Sequence, residues 1–545
     1  MQQISAKENF SEYTEACVSR SSFPTSTYSY TLSESCTAPH DCLRDSSVCQ
    51  SSSDGIKSAD SLCQSQAGHG LDGSHNRQPH RHRHRQHQHT ENAVENAPGN
   101  YHSPSTTKIF RRPDRKASEA HDTRAAIFKR LDDLAATATE VRPHCIGYPV
   151  NENTDLREFY EWYMASGLYR SSLNNVGDPR HESVYALNTH TCENEVIDFF
   201  APYFGFEQGA HWGFVTSSGT DGNQHGMYFG ARYLLSKMPQ RPVVYVSEEA
   251  HYSVKKLADV HNLELRLIPV DIMGHMDVRE LERVLDPLRP ALLVIAIGTT
   301  FKGACDDQKR IDAVLKRKRP VAVYRHLDAA LFGGFLPFSD SADVLNRSMV
   351  QFDSIAVSGH KFFGFDEPCG FFITSREVLD HLNPFHVEYL HDAVPTISCS
   401  RNSLTVLKFW WKIKNRGREY FQRQARTLLG NARYLKHRLN EMGYPAWINP
   451  HSNIVFMRRP GPAVMTKYGL AMEVDARLGG DLAHVIVMQH VTKALLDVFL
   501  KDLTADISFS GDKNAIAATH ADQRDHGTQD SGTATRDSPN ESGSG

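Results

Sequence analysis

Between about residues 212 and 375 the chain alternates short apolar runs with stretches whose apolar positions recur at helical spacing. The runs at 243–247, 264–269, 292–298, 321–326, 354–357 and 370–374 have strand length and strand composition, and helical patterns separate most of them. That alternation predicts a layered α/β domain on a largely parallel sheet. Upstream, a helix is predicted from Thr123 onward, and 187–200 opens an amphipathic helix. Downstream, a helix over 418–442, strands at 453–457 and 483–488 and a helix over 492–503 predict a smaller C-terminal α/β domain. The longest apolar run, 291–297, has the length of a buried strand, far below the roughly 20 residues that span a bilayer.

The flanks follow another pattern. Residues 1–120 are rich in Ser, Thr, Gln and His, with few aliphatic residues and no sustained period, which predicts a disordered extension; 509–545 predicts a disordered tail. The divisions are therefore 1–120, an N-terminal helical segment over 121–210, the large domain over 211–376, the small domain over 377–508, and 509–545. A hydrophobic content of 40% beside a mean hydropathy of −0.47 fits a folded centre with polar ends. The run from His80 to His89 alternates His with Arg and Gln. Such a tract can hold a metal or a polyanion, but its composition favours a solvated tail.

Charge and cysteines narrow the setting. The net charge of −4 makes no case for nucleic acid. The ten cysteines form no disulfide framework. The N-terminus lacks an apolar leader segment. Reduced thiols, a cytoplasmic location, no membrane and no metal site are the expectation.

Four places carry candidate chemistry. The string Thr216-Ser217-Ser218-Gly219-Thr220-Asp221-Gly222-Asn223 precedes a helix, so free backbone N–H groups meet a positive dipole end, as a phosphate site requires. It matches neither a P-loop nor a dinucleotide fingerprint, and a plain helix cap explains it equally. His251 follows a strand and can stack on a flat ring, or simply cap a helix. Asp328 ends an apolar strand, where a carboxylate can pair with a protonated ring nitrogen while Ala330 leaves room for the ring. Lys361 follows 354–357 and runs into aromatics. Burial there favours the neutral, nucleophilic amine that forms a Schiff base. A phosphate cradle, a stacking histidine, a strand-end acid and a lysine are together the parts that pyridoxal phosphate needs.

The motifs also resemble a family. Over about 143–503 the chain is similar to the group II pyridoxal-phosphate amino-acid decarboxylases, in the branch of histidine decarboxylases and plant serine decarboxylases. The resemblance is carried by Ile146-Gly147-Tyr148-Pro149, Ser218-Gly219-Thr220-Asp221-Gly222-Asn223, His251-Tyr252-Ser253-Val254, Gly298-Thr299-Thr300, Asp328-Ala329-Ala330, Ser358-Gly359-His360-Lys361 and Ser400-Arg401-Asn402. It implies pyridoxal-phosphate fold type I, like aspartate aminotransferase, and a homodimer. It implies Lys361 as the cofactor's lysine, Asp328 on the ring nitrogen and His251 stacked on the ring. Ser218, Gly219, Thr220, Ser358 and His360 would surround the phosphate, Thr300 and Ala330 would touch the ring, and Tyr389 would be a proton donor unless it is a packing aromatic. Departures are Ser217-Ser218 for Asn-Gly, Asp221 for Glu, Arg325, and the bulky acidic run Phe362-Phe363-Gly364-Phe365-Asp366-Glu367.

The activity implied is decarboxylation of an L-amino acid, with histidine leading and serine or an aromatic amino acid following. Transamination or aldehyde synthesis on the same cofactor remains open, as does a non-catalytic scaffold with a metal- or polyanion-binding tail.

Overall fold

The computed structural model of the chain describes residues 123–506, all within one unit, Arg112–Gly545. The extension expected over 1–120, its His80–His89 tract and the tail expected over 509–545 lie outside the described residues.

Seven strands form the main sheet: β1 (His211–Thr216), β2 (Val243–Ser247), β3 (Glu264–Ile268), β4 (Ala291–Ala296), β5 (Val323–Asp328), β6 (Ser354–Ser358) and β7 (Gly370–Ser375). Their order is β1-β7-β6-β5-β4-β2-β3. Strands β2 to β6 pair in parallel. β7 is antiparallel to both β6 and β1, so β1 points the same way as the parallel set. All residues of β1, β2, β4 and β6 are buried, which is why β2, β4 and β6 read as apolar runs rather than alternations. β1 was not among the runs singled out above.

A second sheet follows, with β8 (Ala446–Ile448), β9 (Ile454–Arg458), β10 (Ala471–Asp475) and β11 (Gly480–Ile486) in the antiparallel order β8-β9-β11-β10. Five helices matter to the site. They are α1 (Arg124–Val141), α2 (His190–Phe200), α3 (Gly219–Lys237), α4 (Ser403–Glu441) and α5 (Lys493–Ala505). α4 begins well before the predicted 418, because Asn402 caps it and the helix continues past a kink at Gly417 (φ 65°) instead of starting there. The left-handed backbone at that point suits glycine.

The unusual run after Lys361 is core. Phe362, Phe363 and Phe365 are buried. Phe363 packs edge-on to Phe200, and Phe365 lies 4.3 Å from Phe409 of α4, centroid to centroid. The acids that follow are matched by one buried cation: Lys408 Nζ lies 2.9 Å from both Asp366 and Glu367. One turn on, buried Lys412 donates to the carbonyls of Thr154, Phe363 and Gly364 at 2.8, 2.5 and 3.2 Å. A lysine with three carbonyl acceptors fixes the backbone just beyond Lys361.

Candidate active site

The one-way run of strands brings the candidate residues to one edge. Thr216, Ser247, Ala296, Asp328 and Ser358 all end strands there, and ligands of open α/β sheets bind outside the carboxyl ends of the strands. Thr216 and Ser358 both pair with Gly370, so the loops after β1 and β6 emerge side by side.

The first of these loops opens α3. Ser218 caps the helix, its Oγ accepting from Asp221 N–H, and Asp221 accepts in return from the N–H and hydroxyl of Ser217. Against the burial that would raise it, bonds from His225 and Ser217 hold the Asp221 carboxyl below the usual range. Asp221 thus ties the residue before the cap to the first turn of α3. Gly219 is required: a Cβ there would clash with Ser358 Oγ and touch Ala330. Ser358 and Ala330 therefore pack directly against Gly219 at a helix N-terminus that Ser218 caps, with Thr220 on the first turn. On the far side of the turn, His360 Nδ1 lies 2.9 Å from the Cys369 carbonyl and 3.1 Å from the Cys369 amide nitrogen, which anchors the ring to that backbone. Burial holds the His360 imidazole below its usual pKa.

Asp328 sits at the centre of a buried chain. It is 7% exposed. Its Oδ2 accepts from Asn223 Nδ2 at 2.8 Å, and its Oδ1 from Ala330 N–H at 3.3 Å. The amide of Asn223 is oriented by that bond, so its Oδ1 faces His326 Nε2 at 3.1 Å. Nε2 must then carry the proton, and His326 Nδ1 accepts from Ser354 Oγ at 2.8 Å. Burial pushes the His326 imidazole down to about 4, so it is neutral. Gly226 makes room for the ring, since a Cβ there would overlap it. A second branch runs from Asn223 to Ser253 Oγ at 3.4 Å and on to His251 Nδ1 at 2.8 Å. Burial lowers the His251 imidazole pKa, with the Asp328 charge opposing the shift.

Lys361 lies across the same space. Its side chain, with His251, Thr300, Asp328, Ala330 and Pro149, lines one cavity. The amine has no hydrogen-bond or ion-pair partner among the described residues. Burial pulls its pKa down, and Asp328 alone pulls it up. Lys361, Asp328, His251, Thr300 and Ala330 are thus brought together. Tyr389 is not: it is 75% exposed, on a turn between the short strands Phe385–Val387 and Asp392–Val394.

The residue set fits pyridoxal phosphate. The N-terminus of α3, the unpaired Lys361 amine and a carboxylate braced for a cation match its phosphate, aldehyde and ring nitrogen. Sequence reasoning missed the hub formed by Asn223 and the brace from His326. One signal was available: His326 and Asp328 lie two apart on β5 and share a face. Among the described residues no group of His, Cys, Asp and Glu could hold a metal ion.

Comparisons agree with this geometry. Residues 228–455 match the pyridoxal-dependent decarboxylase conserved domain. Serine decarboxylase 1 of Oryza sativa subsp. japonica is 35% identical over 400 residues, 72% of this chain and 78% of that protein. Histidine decarboxylase of Solanum lycopersicum is 34% identical over 70% of this chain and 90% of its own length. Among solved structures, L-methionine decarboxylase from Streptomyces sp. 590 superposes with a TM-score of 0.63 at 22% identity, covering 72% of this chain and 98% of that one. Glutamate decarboxylase of Lactobacillus brevis CGMCC 1306 gives 0.60 at 18%, covering 71% and 92%. The sheet order, the residues gathered at its edge and these likenesses agree that the chain belongs to the pyridoxal-phosphate-dependent amino-acid decarboxylases.

Proposed function

We propose that this carboxy-lyase acts on L-histidine, releasing carbon dioxide and histamine, as a cytoplasmic homodimer. The observation that carries the site assignment is the cavity where the unpaired Lys361 amine meets the braced Asp328 carboxylate. The choice of histidine rests on the histidine decarboxylases of Solanum lycopersicum and Vibrio campbellii, each 34% identical. Serine is the second reading, supported by the rice serine decarboxylase.

In this reading Lys361 holds the cofactor's aldehyde carbon. Ser218, Gly219, Thr220, Ser358 and His360 hold its phosphate through helix N–H groups and side-chain donors. Thr300 and Ala330 meet the ring. Asp328 keeps a proton on the ring nitrogen, because a carboxylate beside that cation stabilises it. The bound cofactor supplies an electron sink for the pair left as carbon dioxide departs. His251 covers one ring face and excludes water. The Lys361 amine, whose pKa burial lowers, can carry a proton back to the substrate Cα. Tyr389 serves as proton donor only if its exposed turn folds inward or reaches a second copy.

The homodimer is supported by α1, which has no buried residue and exposes Ile127, Phe128, Leu131 and Leu134. Among the described residues of one protomer nothing covers that apolar face. Light scattering should give twice the chain mass, and a monomer would refute the dimer. Fractionation should place the protein with cytoplasmic markers. The deciding test is a screen of the twenty amino acids for carbon dioxide release with added pyridoxal phosphate. Histidine should lead, with histamine as product. A higher kcat/KM for serine would move the second reading ahead, and an aldehyde or keto product would refute simple decarboxylation.

A further inference from the structure

A second cavity adjoins the one around Lys361. Pro149, Thr300 and Ile486 line both, so the two share a wall. Four rings stand in its walls: Tyr148, Tyr252, and Phe301 stacked on His484 at 4.5 Å and 21°. His484 is a wall and not a ligand, because its two ring nitrogens face the carbonyls of Phe301 (2.9 Å) and Gly147 (3.2 Å).

Charge in the annex is uneven. Glu249 and Asp475 are bridged by the buried Lys302, whose Nζ lies 2.6 and 2.8 Å from them, and Arg477 also binds Asp475. Those two carboxylates are therefore each paired with a cation, although Glu249 Oε2 has no hydrogen-bond partner among the described residues. Glu473 is not paired. It lies on β10 between Ala471 and Asp475, partly buried like Ala471, while Met472 and Val474 point to solvent. Its side chain lines the cavity and makes no hydrogen bond or ion pair among the described residues. Burial, with Glu249 and Asp475 nearby, pushes its carboxyl up to about 7. A half-buried carboxylate without a partner is costly. A ligand that brings a cation or an N–H donor removes that cost.

We propose that Glu473 is a specificity-determining residue: it receives the side-chain nitrogen of the substrate, so that this enzyme takes amino acids with a basic side chain, imidazole foremost. The inference rests on the decarboxylase reading of the Lys361 site and names the substrate class within it. The aromatic walls suit a flat ring, and Glu473 offers the acceptor that an imidazole N–H needs. A hydroxymethyl or purely apolar side chain would leave the carboxylate as it stands. The bland alternative is that Glu473 is an inward charge on an edge strand, placed to block pairing with another sheet.

The test uses the full chain loaded with pyridoxal phosphate, as wild type and as Glu473→Gln, which keeps the shape and removes the charge. Two quantities are read: kcat/KM for L-histidine, and calorimetric affinities for histamine and 2-phenylethylamine. Glu473→Gln should lower kcat/KM for histidine about 10- to 100-fold, the span of one charge-assisted hydrogen bond. The preference for histamine over 2-phenylethylamine should fall by a similar factor. Unchanged histidine kinetics, an unchanged amine preference, or an equal loss for both amines would overturn the proposal. Aggregation of the variant with its amine preference intact would assign Glu473 to edge protection. The two readings fail separately. If another basic amino acid leads the screen, histidine falls and the annex stands. If histidine leads and Glu473→Gln changes nothing, the annex falls and histidine stands.

Discussion

Replacing Asn223 by Ala tests the brace on Asp328. The amide makes two kinds of buried contact: Nδ2 donates to the Asp328 carboxylate at 2.8 Å, and Oδ1 accepts from His326 Nε2 at 3.1 Å. Loss of a hydrogen bond to a charged group costs about 1.5–3 kcal/mol, and an orphaned buried donor about 1–3 kcal/mol. Both losses fall inside the protein, since Asn223 and His326 are buried. The cofactor-free protein should therefore lose roughly 3 kcal/mol and melt several degrees lower. The freed carboxylate also holds the ring nitrogen less well. Pyridoxal phosphate should bind about tenfold more weakly, which is about 1.4 kcal/mol of lost pairing. Calorimetric titration of apoprotein with cofactor reads the affinity, and a melting curve without cofactor reads the stability. The variant separates the two effects, because Ser354→Ala removes the far end of the chain and should lower the melting point while barely changing affinity. Wild-type affinity in Asn223→Ala would refute the claim that this amide positions Asp328.

The remaining predictions concern neighbouring parts. His326 titrates at about 4 in the folded chain against a usual 6.5. Below 6.5 the unfolded chain binds a proton that the folded one refuses, so stability should be full above pH 6.5 and fall by about 3 kcal/mol towards pH 4. His326→Gln should flatten that part of a pH–stability curve; an unchanged slope would show that the buried imidazole is not its source. Lys412→Met orphans the carbonyls of Thr154, Phe363 and Gly364, each worth about 1–3 kcal/mol if left dry. It should lower the melting point and speed cofactor loss, and normal retention would show that the backbone after Lys361 needs no such latch. Lys361→Ala should abolish turnover and visible cofactor absorbance together, and retained turnover would remove Lys361 from the reaction.

Much of the scaffold was legible because buried parallel strands announce themselves as apolar runs between helices. Lys361, Asp328 and His251 were legible for a related reason: each follows such a run, and strand ends converge in space. β1 was harder, since His211-Trp212-Gly213-Phe214 mixes a histidine and a glycine into a buried strand. β10 was harder still. Its exposure alternates, it lies at a sheet edge, and Glu473 interrupts its apolar pattern. The helix predicted over 418–442 starts too late, because α4 runs from Ser403 through the non-helical Gly417. The link from Asn223 to His326 joins residues from a helix and a strand that meet only in the folded chain. No local period encodes that meeting, although glycines at 219, 222, 226 and 230 of α3 mark the face that approaches the sheet closely.

The central claim is that the amine of Lys361 and the carboxylate of Asp328 hold one cofactor between them. Borohydride reduction of the loaded enzyme, followed by peptide mass mapping, tests it most directly, because reduction fixes the cofactor to whichever amine holds it. One pyridoxyl label per chain is expected, on the peptide that contains Lys361, with loss of that label in Lys361→Ala. A label on Lys302, Lys408 or Lys412, or no label in protein that still turns over amino acid, would contradict it.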